Sequence, residues 1–226
     1  MGYIYETNNI CRDFKQGRQT IHALKNVNIK IKEGAFTILK GTSGSGKTTL
    51  MNILGGLDIP TSGKVFFDGK NIVDMSDYNR DSLRRNSIGF IFQSVALISV
   101  MDTYENVEFG LRVSGAAKKD WKQLTTDSLI RVGLEKRMKH KPFQLSGGEQ
   151  QRVAIARAIA NKPRVVFADE PTAELDTHLG LKIVKLFKQL VTDAGLTIIM
   201  TTHDPSMIDV ADHVISIEDG EIIDER

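Results

Sequence analysis

The sequence is poor in cysteine and aromatic residues and has no long apolar run. Among its 226 residues there is one cysteine, Cys11, and 7% are aromatic. A single cysteine excludes a framework of disulfide bonds within the chain and is typical of a reducing compartment. No segment approaches the about 18 consecutive apolar residues that a membrane-spanning helix needs. We therefore do not expect the chain to cross a membrane by itself.

Excess charge of either sign is also lacking. Thirty basic and 28 acidic residues give a net charge of +2. Nucleic-acid binding depends on a strongly basic surface, so we expect no nucleic-acid partner. The first residues lack the basic and apolar regions of a signal peptide, so none is expected. With 41% hydrophobic residues, the chain can build a core large enough for one domain with an inserted lobe.

Two short motifs carry most of the functional information. Residues 41–48 read GTSGSGKT and fit the phosphate-loop pattern, and residues 145–150 read LSGGEQ. By chance, the loop pattern would arise in about one chain in a hundred and the hexapeptide in about one in 10⁵. Both motifs in one chain are therefore hard to attribute to chance.

The phosphate-loop motif lies between a short apolar strand, residues 36–39, and a predicted helix, residues 48–54. Glycines let backbone N–H groups point at phosphates, and the helix adds its positive N-terminal end. Lys47 is expected to reach the β- and γ-phosphates, and the Thr48 hydroxyl to ligate Mg²⁺. A glycine-rich turn with an exposed lysine is the alternative. The predicted ATP contacts in this segment are Gly41, Ser43, Gly44, Ser45, Gly46, Lys47, Thr48 and Thr49.

A second segment joins an apolar strand to two carboxylates. Residues 165–168 read VVFA, and Asp169 and Glu170 follow. Ligands of parallel sheets bind at the carboxyl ends of the strands. Asp169 is therefore expected to hold a magnesium ion, directly or through water, and Glu170 to accept a proton from the attacking water. Alone, this segment fits an ordinary acidic turn equally well, and the phosphate loop favours the catalytic interpretation.

Strand and helix patterns alternate along the chain, which is typical of a mostly parallel sheet wrapped by helices. The N-terminal part resembles strands with tight turns, and the middle part, 94–161, is mostly helical. The individual elements predicted are strands at 23–31, 88–92, 164–168 and 196–201, helices at 120–132, 147–159 and 179–194, and hairpins around 65–67 and 214–223.

The phosphate loop, the hexapeptide and Asp169-Glu170-Pro171 together resemble the ATP-binding subunit of an ABC transporter. The similarity covers essentially the whole chain and implies ATP and Mg²⁺ as cofactors. It implies an α/β fold: a P-loop NTPase core of the RecA-like type, with an N-terminal antiparallel β subdomain and an inserted helical lobe. A single domain, 1–226, would then consist of a nucleotide-binding core, 1–93 and 162–226, and a signature lobe, 94–161.

The same resemblance assigns roles that spacing alone does not. It implies that Gln93 senses Mg²⁺ and faces a membrane partner, although a surface glutamine is the alternative. It implies that His203 contacts the γ-phosphate, although a helix cap or a core histidine is possible. Asp176 would lie on the loop that crosses a dimer interface. The implied catalytic residues are Glu170 and His203, and the implied metal ligands are Thr48, Gln93 and Asp169.

Six further ATP contacts rest on the resemblance: Phe14, Gln93, Ser146, Gly147, Gly148 and Asp176. Phe14 lies where the family places an aromatic ring on adenine, with two nearby tyrosines as alternatives. Ser146, Gly147 and Gly148 would form a second anion site at a helix start. In the family this site grips ATP held by the opposite subunit, which implies a homodimer.

Four short segments resemble the group that includes MacB, LolD and FtsE, and exporters of the BceA type are similar: 54–58, 60–63, 90–93 and 105–107. Two departures, at Ala173-Glu174 and at 101–104, weaken assignment to one branch. The implied function is an ATPase at the cytoplasmic face of the membrane that drives a separate permease for export, extraction or mechanotransmission. The implied system is of the antimicrobial-peptide, macrolide or lipoprotein type. An FtsE-like regulatory ATPase that signals to cell-wall enzymes is the alternative.

Overall fold

The computed structural model describes residues 2–226, which form two β-sheets and six α-helices. Within these residues, no helix combines the length and apolar character needed to span a membrane. The strands are β1 (Tyr3–Gln16), β2 (Gln19–Val27), β3 (Lys30–Lys32), β4 (Phe36–Lys40), β5 (Ser62–Phe67), β6 (Lys70–Asn71), β7 (Ile88–Ile91), β8 (Val165–Ala168), β9 (Thr197–Thr202), β10 (His213–Glu218) and β11 (Glu221–Glu225). The helices are α1 (Lys47–Leu54), α2 (Asp77–Ser87), α3 (Thr103–Ser114), α4 (Trp121–Arg131), α5 (Gly147–Ile159) and α6 (Thr177–Ala194).

The larger sheet has the order β11-β10-β4-β9-β8-β7, and all neighbours except β10 and β11 are parallel. Every residue of β8 and of β9 is buried. Strands covered on both faces are rich in apolar residues, as VVFA in β8 is, whereas β9 also buries Thr197, Thr201 and Thr202. The mostly parallel sheet expected from the sequence is therefore present.

The smaller sheet is antiparallel, with the order β2-β1-β5-β6 and with β3 paired to the start of β1. The segment predicted as one strand, 23–31, forms two strands because its pairing with β1 is interrupted after Val27. Just before the interruption Asn26 takes a left-handed φ of 50°, and β3 then pairs with an earlier part of β1. Asparagine tolerates this conformation better than most residues do. The expected antiparallel β region is thus observed.

Side-chain alternation in the parallel sheet separates two hydrophobic cores. In β9, Ile198 and Met200 face the core shared with α3, α4, α5 and α6, whereas Ile199 faces the core under the antiparallel sheet. In β8, Val166 and Phe167 divide in the same way. Fully burying such a side chain contributes about 1.5–3 kcal/mol. The parallel sheet therefore holds α3, α4, α5 and α6 on one face, and α1 and the antiparallel sheet on the other.

Two helices were not predicted from the sequence. Helix α2 buries only Arg80, so it lacks the apolar stripe by which helices are recognised. Helix α3 begins with a capping box between Asp102 and Glu105 and ends at Gly115, which has a φ of 80°. The Asp-x-x-Glu pattern followed by a glycine is a sequence signal for this helix.

Candidate nucleotide site

The phosphate loop, residues 41–46, joins β4 to α1 and can only be built with glycine at two positions. Gly46 precedes the helix with a φ of 105°, and a Cβ there would lie 2.6 Å from the carbonyl oxygen of Ala23. A Cβ on Gly41 would lie 2.3 Å from the carbonyl oxygen of Ile217. Both distances are too short for a side chain. Glycine thus lets the loop close against β2 and β10.

The Lys47 ammonium group is held inside this loop. Its Nζ donates hydrogen bonds to the carbonyl oxygens of Gly41, at 2.9 Å, and Thr42, at 2.8 Å. The side chain is only 4% exposed, and Oε1 of Glu170 lies 3.9 Å from Nζ. A positive charge is therefore fixed at the start of α1, where the helix end also favours an anion.

Three side chains meet at the carboxyl ends of β8 and β9. The Thr48 hydroxyl lies 3.1 Å from both carboxylate oxygens of Asp169. The Thr201 hydroxyl donates to Asp169 Oδ1 at 2.6 Å and accepts from the backbone N–H of Glu170 at 2.8 Å. Sequence reasoning gave Thr201 no role. Its position at the end of a buried strand, two residues before His203, is the signal that could have found it.

Glu170 follows Asp169 in an unusual conformation, with a φ of 43°. A positive φ in a residue other than glycine is strained and often marks a functional position. Its Oε2 lies 3.2 Å from Nδ1 of His203, which is 60% exposed, whereas Glu170 is 19% exposed. A carboxylate directed in this way can accept a proton from a water molecule while an imidazole contacts its second oxygen.

An open cavity of about 650 Å³ connects most of these groups. It is bounded by the phosphate loop, the start of α1, strand β2 and the β10–β11 turn. Its lining includes these predicted site residues: Ser43, Gly44, Gly46, Lys47, Thr48, Thr49, Gln93, Asp169 and Glu170. Residues with no predicted role also line it: Ile21, His22, Ala23, Lys25, Asp219 and Gly220.

Other predicted residues lie beside the cavity. Gly41 and His203 line a neighbouring cavity of about 250 Å³, and the contact between His203 and Glu170 joins the two. The Ser45 side chain is 2% exposed. Phe14, 40% exposed, is paired across β1 and β2 with Ile21, which lines the main cavity. Phe14 is therefore near its edge.

The signature residues lie apart from this cavity, at the start of α5. The backbone N–H of Glu149 donates to Ser146 Oγ at 3.3 Å, and the backbone N–H of Ser146 donates to Glu149 Oε2 at 2.9 Å. Gly147 is exposed and Gly148 is buried. These two bonds form a capping box, which the Ser-x-x-Glu pattern indicates. The signature is therefore also a stable helix start.

Arg137 adds to this capping box. Its Nε donates to Glu149 Oε1 at 2.8 Å. This bond, followed by the bonds at Ser146, lowers the pKa of Glu149 to about 2. Asp176 caps another helix, because its carboxylate accepts from the backbone N–H of Leu179 at 2.9 Å. Neither Ser146 nor Asp176 lines the main cavity.

The residues around Asp169 fit a magnesium ion. Mg²⁺ prefers hard oxygen ligands and retains several water molecules. Thr48 and Asp169 provide a hydroxyl and a carboxylate that already lie within 3.1 Å of each other. Gln93 lines the same cavity and can supply an amide oxygen. The donor set therefore suits Mg²⁺ bound together with phosphates.

Comparison with known proteins agrees with a nucleotide-binding site at this position. The family model described as ABC transporter matches residues 24–173. The ABC transporter ATP-binding protein MJ0796 of Methanocaldococcus jannaschii is 44% identical over 218 residues, which cover 95% of this chain and 93% of that protein. The macrolide export ATP-binding/permease protein MacB of Syntrophobacter fumaroxidans is 43% identical. That match covers 97% of this chain but 31% of MacB.

A solved structure extends the likeness to three dimensions. The dimeric post-hydrolysis structure of the cassette MJ0796, bound to ADP and Pi, superposes with a TM-score of 0.88 at 41% identity. It covers 98% of this chain, and this chain covers 97% of it. The P-loop NTPase core with an antiparallel β subdomain and helical elements, expected from the sequence, is confirmed.

Proposed function

The chain belongs to the ABC transporter family, and we propose that it is the ATP-hydrolysing subunit that drives a separate membrane permease. An ATPase of this family converts nucleotide binding and hydrolysis into movement of its partners. The similarity to MacB, a macrolide export ATP-binding/permease protein, supports export as the process, and extraction or mechanotransmission rests on the resemblance of the sequence motifs alone. The division into a core, 1–93 and 162–226, and a lobe, 94–161, remains a prediction.

One observation carries the proposal: Lys47, Thr48, Asp169 and Glu170 converge on one cavity. In the proposed mechanism, Lys47 and the loop amides bind the β- and γ-phosphates, and His203 contacts the γ-phosphate. Thr48, Asp169 and Gln93 would hold Mg²⁺, which neutralises charge on the phosphates when it is bound. Glu170 accepts the proton of the attacking water.

We further propose that two chains share each ATP. Ser146, Gly147 and Gly148 lie outside the cavity, so they can contact a nucleotide only if another chain presents it. The exposed start of α5 is suited to this because helix N-termini attract phosphate. Asp176 is expected near the same interface. The dimeric MJ0796 structure supports this arrangement.

The permease is proposed to dock in a groove between the parallel sheet and the helices of the region 94–161. This groove has a volume of about 350 Å³, and its walls come from α2, β7, α3 and α5. Phe92 is 46% exposed, Phe109 39% and Val113 58%. In the segment before α3, Val100 is 75% exposed, whereas Leu97 packs partly against the core. Apolar side chains exposed together favour a protein contact, which would hold the chain at the cytoplasmic face of the membrane.

Charged substitutions test this docking site. Val113→Asp should leave the ATPase activity of the isolated chain within about twofold, because surface substitutions rarely change stability by more than about 0.5 kcal/mol. It should abolish stimulation by a permease reconstituted in vesicles. Ile130→Asp, at a residue 51% exposed on α4, is the matched control because it is also an aliphatic residue on a helix of the same region. If Val113→Asp is stimulated as well as Ile130→Asp, the permease docks elsewhere.

A further inference from the structure

The aromatic ring of Phe14 is covered on one side by an arginine. The guanidinium carbon of Arg12 lies 4.5 Å from the centroid of the ring. The same guanidinium donates two hydrogen bonds to Asp58, from Nε to Oδ2 and from Nη2 to Oδ1, both at 2.9 Å. Such a bidentate pair fixes the plane of the guanidinium. Arg12 is therefore held against the ring and is not free in solvent.

The backbone contributes to this arrangement. The pairing of β1 with β2 shifts register on both sides of Arg12, which marks a bulge. Bulges redirect side chains out of the regular alternation of a strand. Asp58 is fixed as well, because its Oδ1 accepts from the backbone N–H of Ile59 at 2.8 Å. Arg12 thus joins Phe14 to the segment that follows α1, the helix of the phosphate loop.

We propose that Arg12 is a positioning residue for the nucleotide base. This proposal rests on the proposed role of Phe14 in stacking on adenine. Arg12 and Asp58 hold the Phe14 ring in one orientation, so that the base stacks on the uncovered face without having to immobilise the ring. A side chain already ordered before binding loses less entropy when the ligand arrives. The cation also draws π-electron density toward itself, which favours stacking of an electron-rich purine.

Comparing ATP with inorganic triphosphate separates the base from the phosphates. Arg12→Ala should raise the Kd for ATP by about three- to tenfold, in the range of a cation–π contact, and leave the Kd for triphosphate unchanged. Arg12→Lys keeps the cation but loses the planar bidentate pair. Its Kd for ATP should therefore lie between those of Arg12→Ala and the wild type. Arg85→Ala removes another surface pair, in which Arg85 Nη2 lies 2.7 Å from Asp81 Oδ2, and should change neither Kd.

Phe14→Ala distinguishes the possible failures. Suppose that Phe14→Ala weakens the binding of ATP but not of triphosphate, while Arg12→Ala changes neither affinity or weakens both equally. The role of Arg12 is then overturned, and stacking of adenine on Phe14 stands. Tighter ATP binding by Arg12→Ala would overturn it too, because Arg12 would then compete with the base. If Phe14→Ala does not change the ratio of the two Kd values, stacking on Phe14 fails and the proposal for Arg12 fails with it. Thermal unfolding of each variant confirms that it is folded.

Discussion

The phosphate-loop side and the signature side of this chain differ in where their polar groups find partners. On the phosphate-loop side, Lys47 is 4% exposed and bound to two carbonyl groups, and Asp169 joins hydroxyl groups from α1 and β9. On the signature side, the hydrogen bonds of Ser146 stay within its own helix turn, and Gly147 faces solvent. One side is assembled from distant segments, whereas the other is one helix start joined only by Arg137 from the segment just before it.

This difference shows which part of the site a lone chain can organise. Residues gathered from three elements form a rigid set of charges that can bind phosphate without large rearrangement. The start of α5 also favours anions, as helix N-termini do, but it has no nucleotide-bearing loop of its own chain opposite it. We therefore infer that one chain can bind ATP and that hydrolysis requires two chains.

The largest expected effect is on the phosphate-loop side. Glu170→Gln should reduce ATP turnover by about 10²–10⁴-fold, because the amide cannot accept a proton from water. ATP binding should remain close to that of the wild type, since Lys47 and the loop amides are unchanged. Turnover assays and equilibrium binding measure the two effects. Glu170→Asp, which keeps a carboxylate, is the control. Equal losses of binding and turnover in Glu170→Gln would contradict the role of Glu170.

Lys47→Ala should instead act on affinity. Removing the ammonium deletes charge-assisted bonds to phosphate worth about 1.5–3 kcal/mol, so the Kd for ATP should rise by roughly ten- to hundredfold. Isothermal titration with ATP measures this change. Lys64→Ala, at an exposed lysine on β5, serves as a lysine control. Normal ATP binding by Lys47→Ala would show that the loop does not hold phosphate in the proposed way.

The smallest effect is expected on the signature side. Glu149→Gln keeps a capping side chain but loses the charge that pairs with Arg137. This partly exposed pair should contribute about 0.5–1 kcal/mol to the free energy of unfolding at neutral pH. Because the pKa of Glu149 is lowered in the folded chain, from an ordinary 4.5 to about 2, the contribution is present above pH 4.5 and is lost as the pH falls toward 2.

Urea unfolding of wild type and Glu149→Gln between pH 7 and pH 3 tests this. Their difference in unfolding free energy should be constant in the upper part of the range and shrink below the ordinary glutamate pKa of about 4.5. Arg137→Gln should show the same trend because it removes the same charge pair. A difference that grows at low pH would contradict the proposed charge pair.

The residues of the phosphate loop can be predicted from the sequence, but the contacts they make with distant segments cannot. The glycines and Lys47 are close together in the chain, and the backbone geometry of the loop restricts the residue types, so the motif can be recognised. Thr201 contacts Asp169 only because β8 and β9 are neighbours in the sheet. Neither segment contains a sequence signal for this strand pairing. Likewise, the contact between Arg12 and Phe14 depends on a bulge and on Asp58, which lies 46 positions away in the chain.

The elements show the same distinction. The prediction for 147–159 coincides with α5 because a capping signal and an apolar stripe occur together. Helix α2 was not predicted because its sequence is polar, and the helix is stabilised by capping and ion pairs and not by burial of apolar side chains. The roles proposed for the individual site residues remain predictions that depend on binding and turnover measurements.

Mixing two inactive variants tests most directly whether hydrolysis requires two chains. Chains with Ser146→Arg retain the phosphate loop, and chains with Lys47→Ala retain the signature, so only a dimer of one with the other contains one intact composite site. Each variant alone should show negligible ATPase activity, and mixing should restore a fraction of the wild-type rate. The double variant Ser146→Arg, Lys47→Ala mixed with either single variant should restore none. If the mixed single variants stay inactive while wild-type chains dimerise with ATP under the same conditions, the two sides do not complete one another.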